Sequence, residues 1–328
     1  MKTTISFLMA WIVAASPMLV AAQERGTVRL GYNRAWVSPA LLLALTQGHF
    51  KQAGVGISEK SFDNPADIVQ AIAAGSLDAG VSPAGILFTA VQKGVPLKAV
   101  GVTQGSQNPP IAFKVRADSG INSVADLRGK TAAIGAYGGN TDLYLRYSLS
   151  KAGLDPKNDL RITFVPFHLT LSSLVNRQID VGAIDPVQQV MAERQYPGQL
   201  KTLFTYEDVT QAAVGNSNTN GLLLVAANAF VERDRETAVR FMQGYLSAIR
   251  AIHADPRKAL DEWAAVSKND AVRQLARPAT VPGDGKVYLD ELQFEADMAL
   301  RYGYLKQPID VRSAIDHSIA DEAARRMR

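Results

Sequence analysis

The stretch DSGINSVADLRGKTAAIGAYGGNTDLYLRYSLSKAG (residues 118–153) decides the fold of this chain. It predicts a buried strand over 131–136, a turn through Gly138 and Gly139, and a helix that begins at residues 140–142. The first amide N–H groups of a helix have no partner within it, and they lie at the positive end of the helix dipole. Glycine lets another group approach the backbone closely. The segment therefore predicts a strand, a tight turn and a helix N-terminus suited to an anion.

Gly129-Lys130-Thr131, within the same stretch, has the ending of a Walker A motif. That motif requires glycine at position 124, where Val124 stands, and a strand before the loop rather than after it. The turn also lacks the G-x-G-x-x-G pattern of dinucleotide-binding proteins. The sequence therefore does not predict nucleotide binding at this place.

The composition is that of a packed globular protein. The 328 residues correspond to about two domains, and 47% hydrophobic and 20% charged residues are ordinary values. The formal net charge of +4 is spread along the chain. This balance suits small anions and is too weak for nucleic acid.

The N-terminus is predicted to be a cleaved signal peptide over residues 1–22. Lys2 precedes an apolar run at 5–15, and small residues at 20–22 form the cleavage site. A membrane anchor, the alternative, is disfavoured because the run is short. The chain has no cysteine, so it has no disulfides and no thiol for lipid attachment. We therefore expect a periplasmic protein that is not a lipoprotein.

Strands and helices alternate along the rest of the chain, which predicts an α/β fold with mostly parallel sheets. Turn-rich breaks at 105–110 and 215–221 are interpreted as hinges. They predict one lobe from residues 23–107 and 219–328, and a second lobe from 108–218. Two doubly wound lobes joined by two hinge crossings would hold a ligand in the cleft between them, at the carboxyl ends of their strands.

An internal similarity supports two lobes of similar build. IVQAIAAGSLDAGVSPA (68–84) resembles LSSLVNRQIDVGAIDPV (171–187), and Asp78 and Asp180 occupy the same position in the two stretches. Coincidence between two strand–helix units is the alternative.

Four stretches carry a family resemblance. They are VRLGYN with LALTQGHFKQAGV (28–33 and 43–55), AIAAGSLDAGVSPA (71–84), ADLRGKTAAI with GGNT (125–134 and 138–141), and LVNRQIDVGAIDP (174–186). In this order they resemble type II periplasmic substrate-binding proteins of ABC importers, in the branch of the aliphatic-sulfonate, taurine and nitrate binders. The resemblance implies a monomer that holds a small anionic organic ligand and delivers it to an ABC permease with its ATPase.

The resemblance also implies that the ligand contacts strand-end loops of both lobes. The candidates by loop are Arg34, Trp36 and Ser38; Ser82; Gln104; Tyr137, Gly139, Asn140 and Thr141; His168; and Asp185. Several have simpler alternatives: Ser38, Ser82 and Asp185 are good helix caps, Trp36 can fill a gap in the lobe, and His168 and Arg34 can be ordinary surface residues. Asp142 is expected to complement the helix dipole.

Arg34 is the cation best placed to neutralise an anion. Trp36, Tyr137 and Phe88 would add aromatic walls, which favours an aromatic sulfonate or carboxylate.

An enzyme of the same fold is the main alternative function. Some relatives make a thiamin pyrimidine precursor, and they share a cysteine-rich segment that this chain lacks. No G-x-S-x-G or H-E-x-x-H motif is present. We therefore expect a binding protein with no catalytic residues, no metal and no cofactor. A periplasmic sensor module and a scaffold with an empty cleft also remain open.

Overall fold

The computed structural model describes residues 26–33 and 37–328. The predicted signal peptide and the candidates Arg34 and Trp36 lie outside this part of the chain. Within it, none of the helices is both long and apolar enough to span a bilayer.

Two five-stranded sheets organise the molecule. The first sheet has the order β2-β1-β3-β10-β4 and the second β7-β6-β8-β5-β9. The strands are β1 (Thr27–Tyr32), β2 (Gly56–Ser61), β3 (Ala79–Ser82), β4 (Leu97–Gln104), β5 (Ala112–Arg116), β6 (Thr131–Ile134), β7 (Arg161–Phe164), β8 (Val181–Ile184), β9 (Leu200–Thr205) and β10 (Leu222–Ala227). In each sheet four strands share a direction, and β10 or β5 is antiparallel to its neighbours. The predicted two-lobed α/β fold is confirmed.

Helices cover these sheets. They are α1 (Pro39–Thr46), α2 (His49–Gln52), α3 (Pro65–Ala73), α4 (Ala84–Gln92), α5 (Asn140–Lys151), α6 (Thr170–Val175), α7 (Pro186–Gln195), α8 (Tyr206–Val214), α9 (Asn228–Arg233), α10 (Arg235–Ala254), α11 (Pro256–Ser267), α12 (Leu289–Arg301) and α13 (Ser318–Arg326). Short 3-10 helices include Val124–Leu127, Phe167–Leu169 and Asp270–Gln274. We call the first sheet with its helices the first lobe and the second sheet with its helices the second lobe.

The chain passes twice between the sheets. It leaves the first sheet after Gln104 and returns at Leu222, and these two residues pair across β4 and β10. The two passages therefore lie side by side at one edge of the first sheet. The boundaries after residues 107 and 218 stay a prediction.

The two similar stretches around Asp78 and Asp180 make the same backbone contacts in the two sheets. The backbone N–H of Arg29 donates to Asp78 Oδ2 at 3.0 Å, and that of Thr131 donates to Asp180 Oδ2 at 2.9 Å. In return, Asp78 N–H donates to the carbonyl of Arg29 and Asp180 N–H to the carbonyl of Thr131. Each aspartate therefore ties the start of its strand (β3 or β8) to the neighbouring strand.

Two predictions about element bounds were wrong. The apolar pattern of residues 39–52 predicts a single helix. The structure divides this stretch into α1 and α2 at Gly48, whose φ of +76° is left-handed and ends the helical path. The predicted strand over 131–136 ends at Ile134.

The long C-terminal helices have one apolar face each, which predicts that they pack on the first lobe. This prediction was wrong for one of them. Helix α10 packs against α1, α2 and α13, whereas α12 contacts α4 of the first lobe and also α5 and α8 of the second. The C-terminal region therefore joins both lobes.

Candidate functional site

A cavity of about 800 Å³ lies between the two lobes, and we call it the main cavity. Its first-lobe wall includes Tyr32, Glu59, Gln104 and residues of α1, and its second-lobe wall includes residues of α6 and α7. A third wall comes from α11 and the following 3-10 helix. This volume falls within the usual range for small-molecule sites.

Two helix N-termini border this cavity, and both are capped. Ser38 Oγ accepts from the N–H of Leu41 at 3.3 Å, and Pro39 occupies the first position of α1. Asp185 Oδ1 accepts from the N–H of Gln188 at 2.7 Å, and a proline again opens the helix. Burial raises the pKa of the Asp185 carboxyl. The capping role proposed for both residues is confirmed.

Three of the candidates predicted from the sequence line the main cavity: Gln104, His168 and Asp185. Gln104 is buried, Asp185 is half-buried and His168 is exposed. They come from the end of β4, the 3-10 helix after β7 and the turn after β8, which are the strand-end positions that the sequence indicated.

A small cavity of about 10 Å³ lies at the N-terminus of α5. Gly139, Asn140 and Thr141 line it together with Pro83 and Gln104. Its volume is enough for about one water molecule. Because Gln104 lines both cavities, the small cavity adjoins the main one. The N–H groups that open α5 are therefore the donors available at this end of the site.

Other residues of the protein lie close to the turn at Gly138 and Gly139. A Cβ atom on Gly85 of α4 would lie 2.0 Å from the carbonyl oxygen of Gly138, and one on Gly138 would lie 3.2 Å from the ring of Tyr304. The interpretation of both glycines as room for a ligand was wrong for Gly138: the first lobe and Tyr304 occupy that space. Gly139 still lines the small cavity.

The polar side chains of this turn are engaged within the protein. Thr141 Oγ1 accepts from the N–H of Gly135 at 3.0 Å. Asp142 accepts from the N–H of Gly138, from Arg146 and from the hydroxyl of Tyr304. The side-chain amide of Asn140 donates to Glu295. Because its side-chain amide is engaged in this way, Asn140 can contact a ligand only through its backbone.

Glu295 belongs to a buried acidic pair on α12. Glu291 lies one turn earlier and accepts from the Tyr144 hydroxyl and from the Asn220 amide. Both glutamates are at most 1% exposed. Burial raises the pKa of both carboxyls, and the charge of Glu291 raises that of Glu295 further. Within the described part of the chain, Glu295 Oε2 has no hydrogen-bond partner.

The remaining candidates do not line either cavity. Ser82 is fully buried and donates to the carbonyl of Pro83, so it does not cap α4. Tyr137 is 53% exposed on the surface, and Phe88 is fully buried in the core, so neither supplies an aromatic wall. Arg34 and Trp36 lie outside the described residues.

The sequence interpretation missed the third wall of the main cavity. It is formed by Trp263, Val266, Ser267, Asn269 and Val272. No local motif marks these residues, which reach the cavity because α11 packs against α1 and the 3-10 helix packs against α7. Among residues 26–33 and 37–328, no group of three or more histidine, aspartate or glutamate side chains could hold a metal ion.

Known proteins resemble this chain in sequence and in fold. The family model described as NMT1/THI5 like matches residues 38–259, which is more than half of the chain. A Brucella abortus protein named only as a binding protein is 26% identical over 320 residues, covering 92% of this chain and 93% of its own length. The 4-amino-5-hydroxymethyl-2-methylpyrimidine phosphate synthase of Schizosaccharomyces pombe is 25% identical over 232 residues, covering 68% of this chain and 64% of its own.

Among solved structures, the alkanesulfonate-binding protein SsuA from Xanthomonas axonopodis pv. citri, bound to MOPS, superimposes with a TM-score of 0.70. The two chains are 19% identical, and the match covers 90% of this chain and 99% of that one. At 19% identity, this likeness shows the fold alone.

Proposed function

The chain belongs to the NMT1/THI5-like family, and from this premise we propose that it is the solute-binding component of an ABC importer. The main cavity carries the proposal, because it has the size of a small-molecule site and takes its walls from both lobes. In this role, residues 23–107 with 219–328 close on residues 108–218 about the two crossings and enclose the solute.

We place the protein in the periplasm, with residues 1–22 removed as a signal peptide. It acts as a monomer and hands its solute to the permease and ATPase of an importer. It needs no cofactor, and nucleic acid is not a partner. The binding-protein relative of B. abortus supports this role.

The solute is proposed to be a small organic molecule with a flat or apolar part. Trp263, Tyr196 and Tyr32 supply aromatic groups to the cavity wall. The anion expected from the sequence rests on Arg34, on the amides that open α5 and on the sulfonate-binding neighbour. The described lining of the main cavity adds one histidine, His168, and no lysine or arginine to that support.

An enzyme of the same fold is the second candidate, because the family includes the pyrimidine phosphate synthase of S. pombe. That relationship covers 68% of this chain. A solute returned unchanged after long incubation favours the binding protein, and a converted solute favours the enzyme. A sensor module would bind in the same cleft and would differ in lacking a permease partner.

Native mass spectrometry of freshly purified protein, followed by small-angle scattering, tests the proposal. We expect a retained small molecule, and a larger radius of gyration after the solute is removed by partial unfolding and refolding. Restoring the solute should reverse the change. A protein that retains nothing, and whose scattering does not respond to periplasmic extract, would contradict the binding role.

A further inference from the structure

Glutamine side chains are concentrated on the wall of the main cavity. Four of its lining residues are glutamines: Gln104, Gln107, Gln188 and Gln195. A carboxamide has an acceptor oxygen and two N–H donors, and it carries no charge. Polar atoms that are buried in a folded protein are nearly always hydrogen-bonded. The pairing of the buried glutamines therefore indicates whether this wall takes a partner from outside the chain.

Gln104 ends β4 on the first passage between the sheets, and it lines both the main cavity and the small cavity. The residue is only 7% exposed, yet its side-chain amide makes no hydrogen bond to any residue that the structure describes. A Cβ atom on Gly221 would lie 3.5 Å from Gln104 Cγ and 3.6 Å from Gln104 Oε1, so this side chain lies against the second passage. Its donor and its acceptor are therefore both available at the point where the two passages meet.

Gln107 and Gln188 are also incompletely paired. The Nε2 atom of Gln107 is buried and has no acceptor among the described residues. The Nε2 atom of Gln188 donates to the carbonyl of Phe167 at 3.1 Å, whereas its buried Oε1 atom has no donor in the part of the chain that the structure describes. The partner missing at Gln107 is thus an acceptor, and the partner missing at Gln188 is a donor.

These amides belong to neighbouring segments of one cavity wall. Gln104 and Gln107 are three residues apart, so their Cα atoms are separated by at most about 11 Å. Gln188 lies on α7, and the next residue of that helix, Gln189, donates to the carbonyl of Pro110 on the first passage at 2.8 Å. One small molecule in the main cavity can therefore contact more than one of them.

Resting on the proposed function, we infer that the carboxamides of Gln104, Gln107 and Gln188 recognise the solute, and that the solute carries an N–H donor beside an acceptor, as a carboxamide or a urea group does. Such a group accepts from one glutamine N–H and donates to one glutamine oxygen, so it supplies both kinds of missing partner. A group with acceptors alone would leave the oxygens of Gln104 and Gln188 unpaired. This recognition is independent of the net charge of the solute.

Benzamide and acetophenone test this recognition. Both are uncharged and have nearly the same shape, but acetophenone has a methyl group where benzamide has its N–H donors. A site that pairs with an N–H group discriminates against an analogue that lacks it. We expect benzamide to bind the mature protein at least about tenfold more tightly than acetophenone in calorimetry. Equal affinities would overturn the inference, as would the absence of binding by either compound.

Gln104→Met shows whether this amide serves the solute or the fold. Methionine keeps the length of the side chain and removes its donor and acceptor. Because the amide has no partner within the described protein, the variant should be at least as stable as the original. It should bind benzamide about tenfold more weakly and acetophenone with unchanged affinity. A loss of stability, or an unchanged affinity for benzamide, would overturn the assignment of Gln104.

Two further variants complete this experiment. Gln107→Met tests the same wall independently and should lower the affinity for benzamide by at least about threefold. Gln70→Met makes the same change at an exposed position of α3 and should alter neither stability nor affinity. If neither Gln104→Met nor Gln107→Met weakens benzamide binding, the carboxamides do not recognise the solute.

The proposed function has a separate outcome. A solute that is retained and closes the lobes, but that binds the Gln104→Met and Gln107→Met variants as well as the original protein, leaves the binding role intact and removes the role of the glutamines. Failure of the mass spectrometry and scattering test removes the binding role itself.

Discussion

Asn140 at the start of α5 and Glu295 on α12 are joined by a buried hydrogen bond from the asparagine amide to the glutamate carboxyl. Glu291, one turn earlier on α12, accepts in the same way from Asn220, which lies just before β10 on the second passage between the sheets. Helix α12 thus connects the turn that lines the small cavity to that passage. The carboxyls of Glu291 and Glu295 interact with each other, and the partners that the structure describes for them include no basic residue. Two such buried acids are stable together when they hold a proton.

Glu295→Gln should therefore stabilise the protein at neutral and alkaline pH. The folded-state pKa of Glu295 lies well above its ordinary value of 4.5, so its contribution to stability is complete below pH 4.5 and is lost as the pH rises through the folded-state pKa. Glutamine resembles the protonated acid. At about pH 8 we expect the variant to be more stable by about 1–3 kcal/mol, and the difference should vanish near pH 4.5. Thermal unfolding across this range measures it.

Glu322→Gln is the matched control. The side chain of Glu322 is 23% exposed, and hydrogen bonds from Arg235 and Arg326 lower its pKa. Its contribution to stability is therefore present above the ordinary pKa and is lost as the pH falls through the lowered one. This variant should be no more stable than the original protein at about pH 8. A Glu295→Gln variant that is less stable than the original protein at that pH would contradict the shared proton.

Asp78 and Asp180 make the same backbone contact, but they should contribute differently to the free energy of unfolding. Asp78 is 4% exposed and accepts from the backbone N–H, Nε and Nη2 of Arg29. The Asp180 side chain is 29% exposed, and its ion pair with Arg116 spans 3.8 Å. We expect Asp78→Asn to lower the free energy of unfolding by about 1–3 kcal/mol and Asp180→Asn by less than about 1 kcal/mol. Urea unfolding of both variants measures this, and an equal loss would contradict it.

Most of the fold could be predicted from local sequence patterns. The strands and helices are visible as apolar residues that recur every two residues in a strand and about every 3.6 in a helix. The repeat around Asp78 and Asp180 is visible as two similar short stretches. The division at Gly48 was not predicted, because an isolated glycine within an apolar run is compatible with a continuous helix.

The site was predictable only where it lies at strand ends. Gln104, His168 and Asp185 line the main cavity because strand ends converge there. The wall around Trp263 depends on how α11 packs, and no local pattern encodes that packing. Asn140 contacts Glu295, which is 155 residues away along the chain. Gly138 lies against Tyr304, 166 residues away, and against Gly85 of the other lobe. A motif therefore indicated the turn without indicating what contacts it.

Thr141→Val should reduce both stability and binding. Valine has nearly the same shape, but it removes the hydroxyl that accepts from the N–H of Gly135 and lines the small cavity. An unpartnered buried N–H group costs about 1–3 kcal/mol. Thr141→Ser keeps the hydroxyl and should restore most of the stability and the affinity for the retained solute. Chemical unfolding and calorimetry separate the two effects, and a Thr141→Val variant as stable as the original protein would contradict this role.

Gly85→Ala should hold the lobes apart at the glycine turn. The added Cβ atom would lie 2.0 Å from the Gly138 carbonyl oxygen, a backbone atom of the other lobe, so the two must separate. Alanine favours the helical conformation of α4, and the first lobe should fold normally. We expect a larger radius of gyration by small-angle scattering and a solute affinity lower by at least about tenfold. Gly283→Ala, where the nearest atom is 3.7 Å away, is the control that should change neither value. Unchanged scattering and affinity in Gly85→Ala would show that this contact does not limit closure.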